Sequence, residues 1–479
     1  MIATSATRHH LAILLAAACA VLWPFVCYAA SLTGAGHDAA SAVVQNWMRY
    51  SRDMHWTQSG ATDDATPVLQ DIFYGGQLVG YATVEGNGYV VVPAYQDLPP
   101  VTAYSTESNF YVNDEGGFVE LVKKDLANKI RVAQSALSDT SITPDLELAR
   151  QQVEKDHRLW QSYSANYGVF RRAADAETGS HPSDETSDVG PLCHTAWHQG
   201  APYNNDCPMG NGGRCAVGCV ATAMSQILAY WRSSAEATGS HSYLWAGDSS
   251  CGTPTPGQTL GATFSDPFDW ADALNIVTTS SPQSQQDAVA RISYETGVAV
   301  NMVYGHCGSG AYVPGPVMTA LQNYFGMAAR ENTVARSSYT AASWFAVLQQ
   351  ELNAGRPVFY TIYSHAIVCD GCRVSGGNQL HFNFGWAEGH TAWYTVDNLY
   401  RPGIGSPAMV EQAIRGIMPN SSQPEAMPNI AVSSANGGET SATSLDVVYR
   451  NPFNPATPMH NRTMSAGSVS HIRKISQLK

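Results

Sequence analysis

Apolar positions along the first third of the chain alternate between two spacings. Helical spacing occurs over 40–48 and again after Thr143, which occupies an N-cap position directly before Pro144. Between these stretches, β-branched and aromatic runs at 78–84 and 89–93 are joined through a glycine-containing turn, as in a β-hairpin. The pattern therefore predicts a small α+β unit in this part of the chain.

A second region of clear periodicity begins at Cys219. The apolar positions that follow it fall on one face of a helix: Val220, Met224, Ile227, Leu228 and Trp231. Further along, the runs 357–363, 365–371 and 379–386 are rich in strand-forming residues, and a turn at 375–378 separates the last two. These patterns predict a helix whose first turn contains Cys219, followed by adjacent antiparallel strands.

The first thirty residues have the layout of a targeting segment. Arg8 precedes an apolar run over 11–25, and the small residues Ala29 and Ala30 follow it. This arrangement predicts a secretory signal peptide that is cleaved after one of the two alanines. The alternative is a membrane anchor, but the run is shorter than the ~20 residues that span a bilayer. We therefore expect a secreted protein, in the periplasm, on the cell surface or outside the cell, with no stable membrane insertion.

The amino-acid composition and the net charge exclude some classes of function. Apolar residues make up 44% of the 479 residues, enough for a sizeable core, whereas charged residues make up 14%. The formal net charge is −13, so the chain lacks the cationic field that nucleic-acid binding requires. We expect no nucleic-acid partner.

The numbers of acidic and basic residues also differ between successive parts of the chain. Residues 31–188, the N-terminal segment, contain 22 acidic and 11 basic side chains. Residues 189–418, the central segment, contain 14 acidic side chains, nine arginines and no lysine. Polar stretches at 173–189 and from 420 onwards separate these segments from each other and from a tail over 419–479. We interpret both stretches as solvated linkers between independent parts of the chain.

Eight cysteines remain beyond the leader, all between 193 and 372. In an oxidising compartment they predict disulfides, and because the number is even all of them could pair. Cysteine count therefore does not identify a nucleophile. The spacings Cys215-x₃-Cys219 and Cys369-x₂-Cys372 leave open a zinc-binding or disulfide-exchange module.

Sequence context identifies a candidate catalytic set. Unpaired N–H groups at a helix start favour the thiolate of Cys219, and a histidine must share its proton. His365 and Asn383 lie on the two predicted adjacent strands, so we expect Asn383 to accept a hydrogen bond from the His365 ring. The separations of 146 and 18 residues agree with the papain-type order. Gln199 is placed to help bind the oxyanion.

In combination these motifs resemble the streptopain-like cysteine peptidases, a family of secreted bacterial papain-fold zymogens. The resembling stretches are 199–204 (QGAPYN), 218–226 (GCVATAMSQ), 292–305 (ISYETGVAVNMVYG), 365–371 (HAIVCDG) and 383–386 (NFGW). The stretch 88–105 is similar to the β-rich core of the family's propeptide.

The resemblance implies a fold and a function. It implies a papain-like two-lobed α+β domain over 189–418, with the cleft between a helical half and a β-rich half. The N-terminal segment would be a small α+β prodomain that inhibits the enzyme and assists folding. The implied activity is hydrolysis of protein and peptide substrates without a cofactor or metal. Cys219 would be the nucleophile, His365 the general base, Gln199 the oxyanion ligand and Asn383 the orienting residue.

Further residues are expected to shield the site or line the substrate cleft: Tyr304, Gly308, Ser364, Phe384 and Trp386. Two of these depart from the family pattern, because Ser364 replaces a glycine and Phe384 replaces a tryptophan. These departures leave open a catalytically silent binding or inhibitor protein on the same scaffold. In the tail, 451–457 resembles the start of a C-terminal sorting module, but the strand pattern that should follow is missing, which favours a flexible tail.

Overall fold

The structure is a computed structural model. It describes residues 31–56, 67–83, 88–106, 108–114, 117–177, 188–232, 237–329, 333–362, 365–386, 391–397, 399 and 411–420, and the backbone of 447–450. The leader, Ser364 and most of the tail, including 451–457, lie outside the described residues. No helix of the described part is long and apolar enough to cross a membrane.

The N-terminal segment places helices on both faces of a four-stranded sheet. Its helices are α1 His37–Asp53, α2 Gly117–Ser138, α3 Pro144–Tyr163 and α4 Tyr167–Glu177, and its strands are β1 Leu69–Tyr74, β2 Gln77–Thr83, β3 Tyr89–Pro93 and β4 Ala103–Ser105. The predicted hairpin corresponds to β2 and β3, which pair antiparallel. The predicted cap is also confirmed, since the Thr143 side chain accepts a hydrogen bond from the Leu146 N–H.

The central segment contains four helices and most of the strands. The helices are α5 Cys219–Trp231, α6 Gln283–Ala299, α7 Gly315–Asn323 and α8 Ala341–Asn353. The strands before α8 are β5 Met209–Gly210, β6 Gly213–Arg214, β7 Ser240–Trp245, β8 Gln258–Thr263, β9 Gly310–Val313, β10 Met327–Ala328 and β11 Val334–Ala335. Those after it are β12 Val358–Ile362, β13 His365–Arg373, β14 Gln379–Asn383, β15 Thr391–Thr395, β16 Gln412–Ile414 and β17 Met418–Pro419. In the tail, β18 Val447–Arg450 pairs with β9.

One sheet runs through both segments. Its ten strands follow the order β1-β2-β3-β4-β15-β14-β13-β12-β16-β11, and all their pairings are antiparallel. The two segments meet where β4 pairs with β15, at Tyr104 opposite Trp393 and Ala103 opposite Tyr394. The strands that carry His365 and Asn383 are therefore interior strands of a sheet whose one edge belongs to the N-terminal segment.

Two of the hydrophobic cores flank the strand that carries His365. The first contains residues of α2 and α3 together with residues of α8, β12, β13 and β14. The second surrounds α5 and contains buried residues of the central segment alone. Ile367 belongs to the first core, whereas Ala366 and Val368 belong to the second. The alternation along β13 thus places one core on each face of the sheet.

Candidate active site

Cys219 is the first residue of α5. Its N-terminal neighbour Gly218 has φ 89°, and a Cβ at that position would lie 2.7 Å from the sulfur of Met302. Glycine therefore meets both the dihedral and the space requirement of the turn that leads into the helix. The Cys219 sulfur accepts hydrogen bonds from the N–H groups of Cys219, Val220 and Ala366. Ala366 directly follows His365, so the nucleophile lies against the start of β13.

Burial outweighs these hydrogen bonds. It raises the pKa of the Cys219 thiol to about 11, although the three N–H groups act in the opposite direction. The side chain is 1% exposed. In this structure burial therefore favours the neutral thiol, because desolvation exceeds the effect of the three N–H groups, and the thiolate at the helix start stays a prediction.

His365 is completely buried at the beginning of β13. Its Nε2–H donates to the carbonyl oxygen of Phe384 at 2.9 Å, and its ring stacks on Trp386 with centroids 4.1 Å apart. Burial lowers the pKa of His365 to about 4. The imidazole is therefore neutral, and the bond through Nε2 leaves Nδ1 with a lone pair that can accept a proton.

The predicted ion pair is not formed in this structure. The Nδ1 atom of His365 is buried and hydrogen-bonds to none of the described residues, Cys219 included. The two pKa shifts agree with this geometry, because each favours the neutral form of its group. Nucleophile and base are thus neighbours through Ala366 but are not engaged with each other.

Asn383 does not hold the imidazole, contrary to the prediction. Its Nδ2 donates to the Thr195 carbonyl at 2.7 Å, and its Oδ1 accepts from the Gly385 N–H at 3.0 Å. In the β13–β14 pairing, Asn383 lies opposite Val368, which is three residues after His365 in β13. Asn383 is therefore not the cross-strand neighbour of His365. Asn383 instead fixes the turn after β14, and the Phe384 carbonyl in that turn orients the imidazole.

Two positioning residues escaped the sequence analysis. The Thr195 hydroxyl donates to Gln226 Oε1 at 2.9 Å, while the Thr195 carbonyl accepts from Asn383. Gln226 lies on α5 and Asn383 ends β14, so a chain of hydrogen bonds connects the helix that begins with Cys219 to the strand next to that of His365. The available signal was weak: Gln226 is a polar residue within a largely apolar helix, and such a residue needs a partner when buried.

Gln199 lies where an oxyanion ligand is expected. Its carbonyl accepts from the Val217 N–H at 3.0 Å, which holds it beside the turn that precedes Cys219. The side chain is 3% exposed, and its Nε2 donors have no hydrogen-bond partner among the described residues. Since buried donors are nearly always satisfied, an unoccupied amide here marks a position where a ligand oxygen can bind.

The predicted cleft residues divide into two groups. Phe384 and Trp386 stack on each other with centroids 5.8 Å apart, and Trp386 covers the His365 ring, as expected for shielding. The position of Tyr304 contradicts the prediction that it lines the cleft. Its ring is buried in the core around α5, and its hydroxyl donates to the Tyr294 carbonyl. Gly308 is half-buried in the turn beside that core.

The expectation of extensive disulfides is also wrong for the described residues. Cys251 and Cys307 form one disulfide. The other six cysteines beyond the leader are buried: Cys193, Cys207, Cys215, Cys219, Cys369 and Cys372. Among the described residues, no group of three or more His, Cys, Asp or Glu side chains is arranged to hold a metal ion. The zinc alternative thus gains no support from the described side chains.

Comparisons with known proteins agree with this geometry. Residues 197–394 match the profile of the Peptidase C10 family. Over 371 residues the chain is 23% identical to streptopain of Streptococcus pyogenes, and the match covers 73% of this chain and 82% of streptopain. Over 259 residues it is 29% identical to the thiol protease/hemagglutinin PrtT of Porphyromonas gingivalis. That match covers 52% of this chain and 28% of the length of that relative.

A solved structure has the same fold. A prointerpain A fragment from Prevotella intermedia aligns over its whole length with 75% of this chain, at a TM-score of 0.56 and 23% identity. The papain-like α+β class is therefore confirmed. The helix-start cysteine, the buried histidine at the start of β13 and these comparisons agree: the chain is a cysteine peptidase that resembles streptopain, and its residues 197–394 match the Peptidase C10 family.

Proposed function

We propose that the chain is the latent precursor of an endopeptidase in which Cys219 is the nucleophile, His365 the base and Gln199 an oxyanion ligand. One observation carries this proposal. On the residues that adjoin the start of α5 are two buried polar atoms that have no hydrogen-bond partner in the described part of the chain, Nδ1 of His365 and Nε2 of Gln199. One is a proton acceptor and the other a donor, the two functions that thiol activation and oxyanion binding require.

The chemistry needs a small rearrangement that brings Nδ1 of His365 to the sulfur. Nδ1 then takes the thiol proton, and the thiolate attacks the substrate carbonyl carbon. The carbonyl oxygen becomes an oxyanion that accepts from Gln199 Nε2 and the Cys219 N–H. When the C–N bond breaks, His365 gives its proton to the leaving amine. Water then hydrolyses the thioester and restores the thiol.

The N-terminal segment acts in this proposal as the inhibitory and fold-assisting part. Phe118 of α2 packs on Phe384 with ring centroids 4.7 Å apart, so α2 touches the turn that orients His365. The linker within 173–190 would be cut to release it. The apolar run and small-residue site at 1–30 support export of the precursor.

Replacement of the nucleophile tests the proposal. Purified precursor and its Cys219→Ala variant are incubated with reductant and followed by mass analysis, by hydrolysis of an unfolded protein and by labelling with a thiol-directed epoxide. We expect the parent to be cut within 173–190, to hydrolyse the substrate and to be labelled at Cys219. The variant should lose activity by on the order of 10⁴-fold or more, because nothing else in the site can form the acyl-enzyme.

Cys215→Ala is the matched control, since Cys215 is also a buried thiol four residues away. It should retain cleavage and labelling. Substrate hydrolysis by Cys219→Ala would disprove the assignment. Failure of the parent to label or to hydrolyse after removal of residues 31–188 would instead favour the catalytically silent alternative.

A further inference from the structure

A lysine of the N-terminal segment is buried against the central segment. Lys129 of α2 is 3% exposed at its side chain, and its Nζ lies 2.9 Å from Oδ2 of Asp397 and 3.2 Å from Oδ2 of Asp125. Burial opposes the ammonium charge, but the two carboxylates outweigh it and raise the pKa of Lys129. Asp397 belongs to the central segment. This ion pair therefore connects the N-terminal segment, which would be released on activation, to the central segment, which would remain as the enzyme.

Lys129 reaches into a pocket whose walls belong almost entirely to the peptidase. A cavity of about 90 Å³ adjoins it, and apart from Leu121, Asp125 and Lys129 every residue that lines this cavity lies in the central segment. Ile362, Phe382, Phe384 and Tyr394 provide apolar walls, and Asp397 and Glu411 provide the acidic groups. Such a combination fits an aliphatic stem with a cationic end.

Release of the N-terminal segment leaves Asp397 without its cation. Its Oδ1 accepts from the Leu399 N–H at 2.8 Å, but the close partner of Oδ2 is Lys129. The other cation of the pocket is already engaged, since Arg336 donates to the Asp397 carbonyl and lies 3.7 Å from Glu411. The emptied pocket then presents an uncompensated carboxylate beside apolar walls, which attracts a new cationic side chain.

The pocket adjoins the turn that holds His365. Phe384 lines it, while the carbonyl of the same residue holds Nε2 of His365, and the Phe384 ring stacks on Trp386, which in turn covers His365. His365 is the group that protonates the leaving amine. The part of a substrate that follows the cleaved bond therefore passes His365 toward Phe384 and the pocket.

We propose that in the activated enzyme this pocket is a substrate subsite that binds a lysine side chain located after the cleaved bond, with Asp397 as its counter-ion. In the precursor, Lys129 occupies this subsite from within the same chain. The inference rests on the proposed function, because it assigns a substrate preference to the same active site.

Paired peptides test the subsite. Enzyme activated from the full chain is given quenched-fluorescent peptides that carry either lysine or norleucine at one of the first three positions after the cleaved bond. Norleucine keeps the aliphatic stem and removes the charge. At one position we expect kcat/KM to be about tenfold higher for lysine, mainly through KM. Asp397→Asn should reduce that ratio to about one, because it removes the counter-ion of the lysine ammonium.

Control variants distinguish the effect of the Asp397 charge from an effect on folding. The outcomes for the parent enzyme distinguish failure of the subsite proposal from failure of the proposed function. Asp287→Asn removes an exposed carboxylate of α6 and should keep the ratio, and Asp397→Glu should restore part of it. Equal hydrolysis of both peptides at all three positions by the parent enzyme overturns the subsite while the peptidase assignment stands, even if the Asp397 variants fail to fold. A full ratio in Asp397→Asn also overturns it. Hydrolysis of neither peptide by the parent overturns both proposals.

Discussion

The lobe that carries Cys219 and the lobe that carries His365 are built from different parts of the chain. The core around α5 contains buried residues of the central segment alone. The core on the other face of β13 combines residues of α2 and α3 with residues of α8 and β12–β14. The nucleophile is therefore placed by its own domain, whereas the base is placed by a lobe that the N-terminal segment completes.

The ten-stranded sheet, which both segments form, shows the same difference between the lobe of Cys219 and the lobe of His365. Residues 31–188 contribute four of the ten strands, and β4 covers the edge of β15. Phe118 of α2 packs on Phe384, and Lys129 of the same helix lines the pocket that Phe384 also lines. The lobe that carries His365 thus shares its core, its sheet and its buried charges with the N-terminal segment, so this segment can influence His365 through that core.

The largest expected effect comes from truncating the shared core. Phe118→Ala removes a buried ring that packs against Phe384, Tyr89 and Phe110, and should lower the free energy of unfolding of the precursor by about 3–5 kcal/mol. Urea denaturation measures the loss. It should also speed epoxide labelling of Cys219, because the turn that holds His365 loses its support.

Phe170→Ala is the matched control. Phe170 is equally buried, but its ring contacts lie within the N-terminal segment, for example with Tyr163 at 4.7 Å. It should destabilise the precursor by a similar amount with less effect on labelling. Equal labelling in both variants would mean that the shared core does not control the site.

The next effect is the pH dependence of thiol reactivity. Since burial raises the pKa of Cys219 to about 11, alkylation of this residue in the precursor should rise about 100-fold from pH 8 to pH 10, as its thiolate fraction does. Quantitative mass analysis of the modified peptide gives the rate. After activation, the rate at pH 7.5 should rise sharply as His365 engages the sulfur.

Cys215 provides the internal reference, because burial raises the pKa of its thiol to about 12 and it stays away from the histidine. Its reactivity should remain low in both forms. A rate at Cys219 that is already high and flat from pH 6 to pH 9 in the precursor would indicate a preformed ion pair and contradict the geometry of the site.

The smallest effect tests whether the shared lobe unfolds as one unit. Thr143→Ala removes the cap of α3 in the N-terminal segment, and Thr340→Ala removes the capping box of α8 in the central segment. Each should lower stability by about 1 kcal/mol. Since both helices pack in the same core, both variants should shift the same denaturation transition by similar amounts. Shifts in two separate transitions would show that the core is not cooperative.

Short-range patterns were sufficient for several elements. The stripe after Cys219 predicted α5, the strand runs predicted β12–β14, and Thr143 predicted the start of α3, and all three are present. These features depend on neighbouring residues, through side-chain periodicity and capping. By contrast, α2 was not predicted. Its buried face includes Asp125 and Lys129, and burial of charged residues becomes favourable only when Asp397, far away in sequence, completes the ion pairs.

The sequence by itself was sufficient to predict the resemblance to streptopain-like peptidases, a cysteine at the start of a helix and a histidine on a strand of the β-rich half, because each depends on local residues or on motifs in a fixed order. The tertiary structure decided how these groups are arranged. The register of β14, with an irregularity between Cys369 and Gly371, places Asn383 away from His365 and gives the orienting bond to a backbone carbonyl. Desolvation then reverses the charge state that a helix start favours, because burial depends on everything that packs around a group.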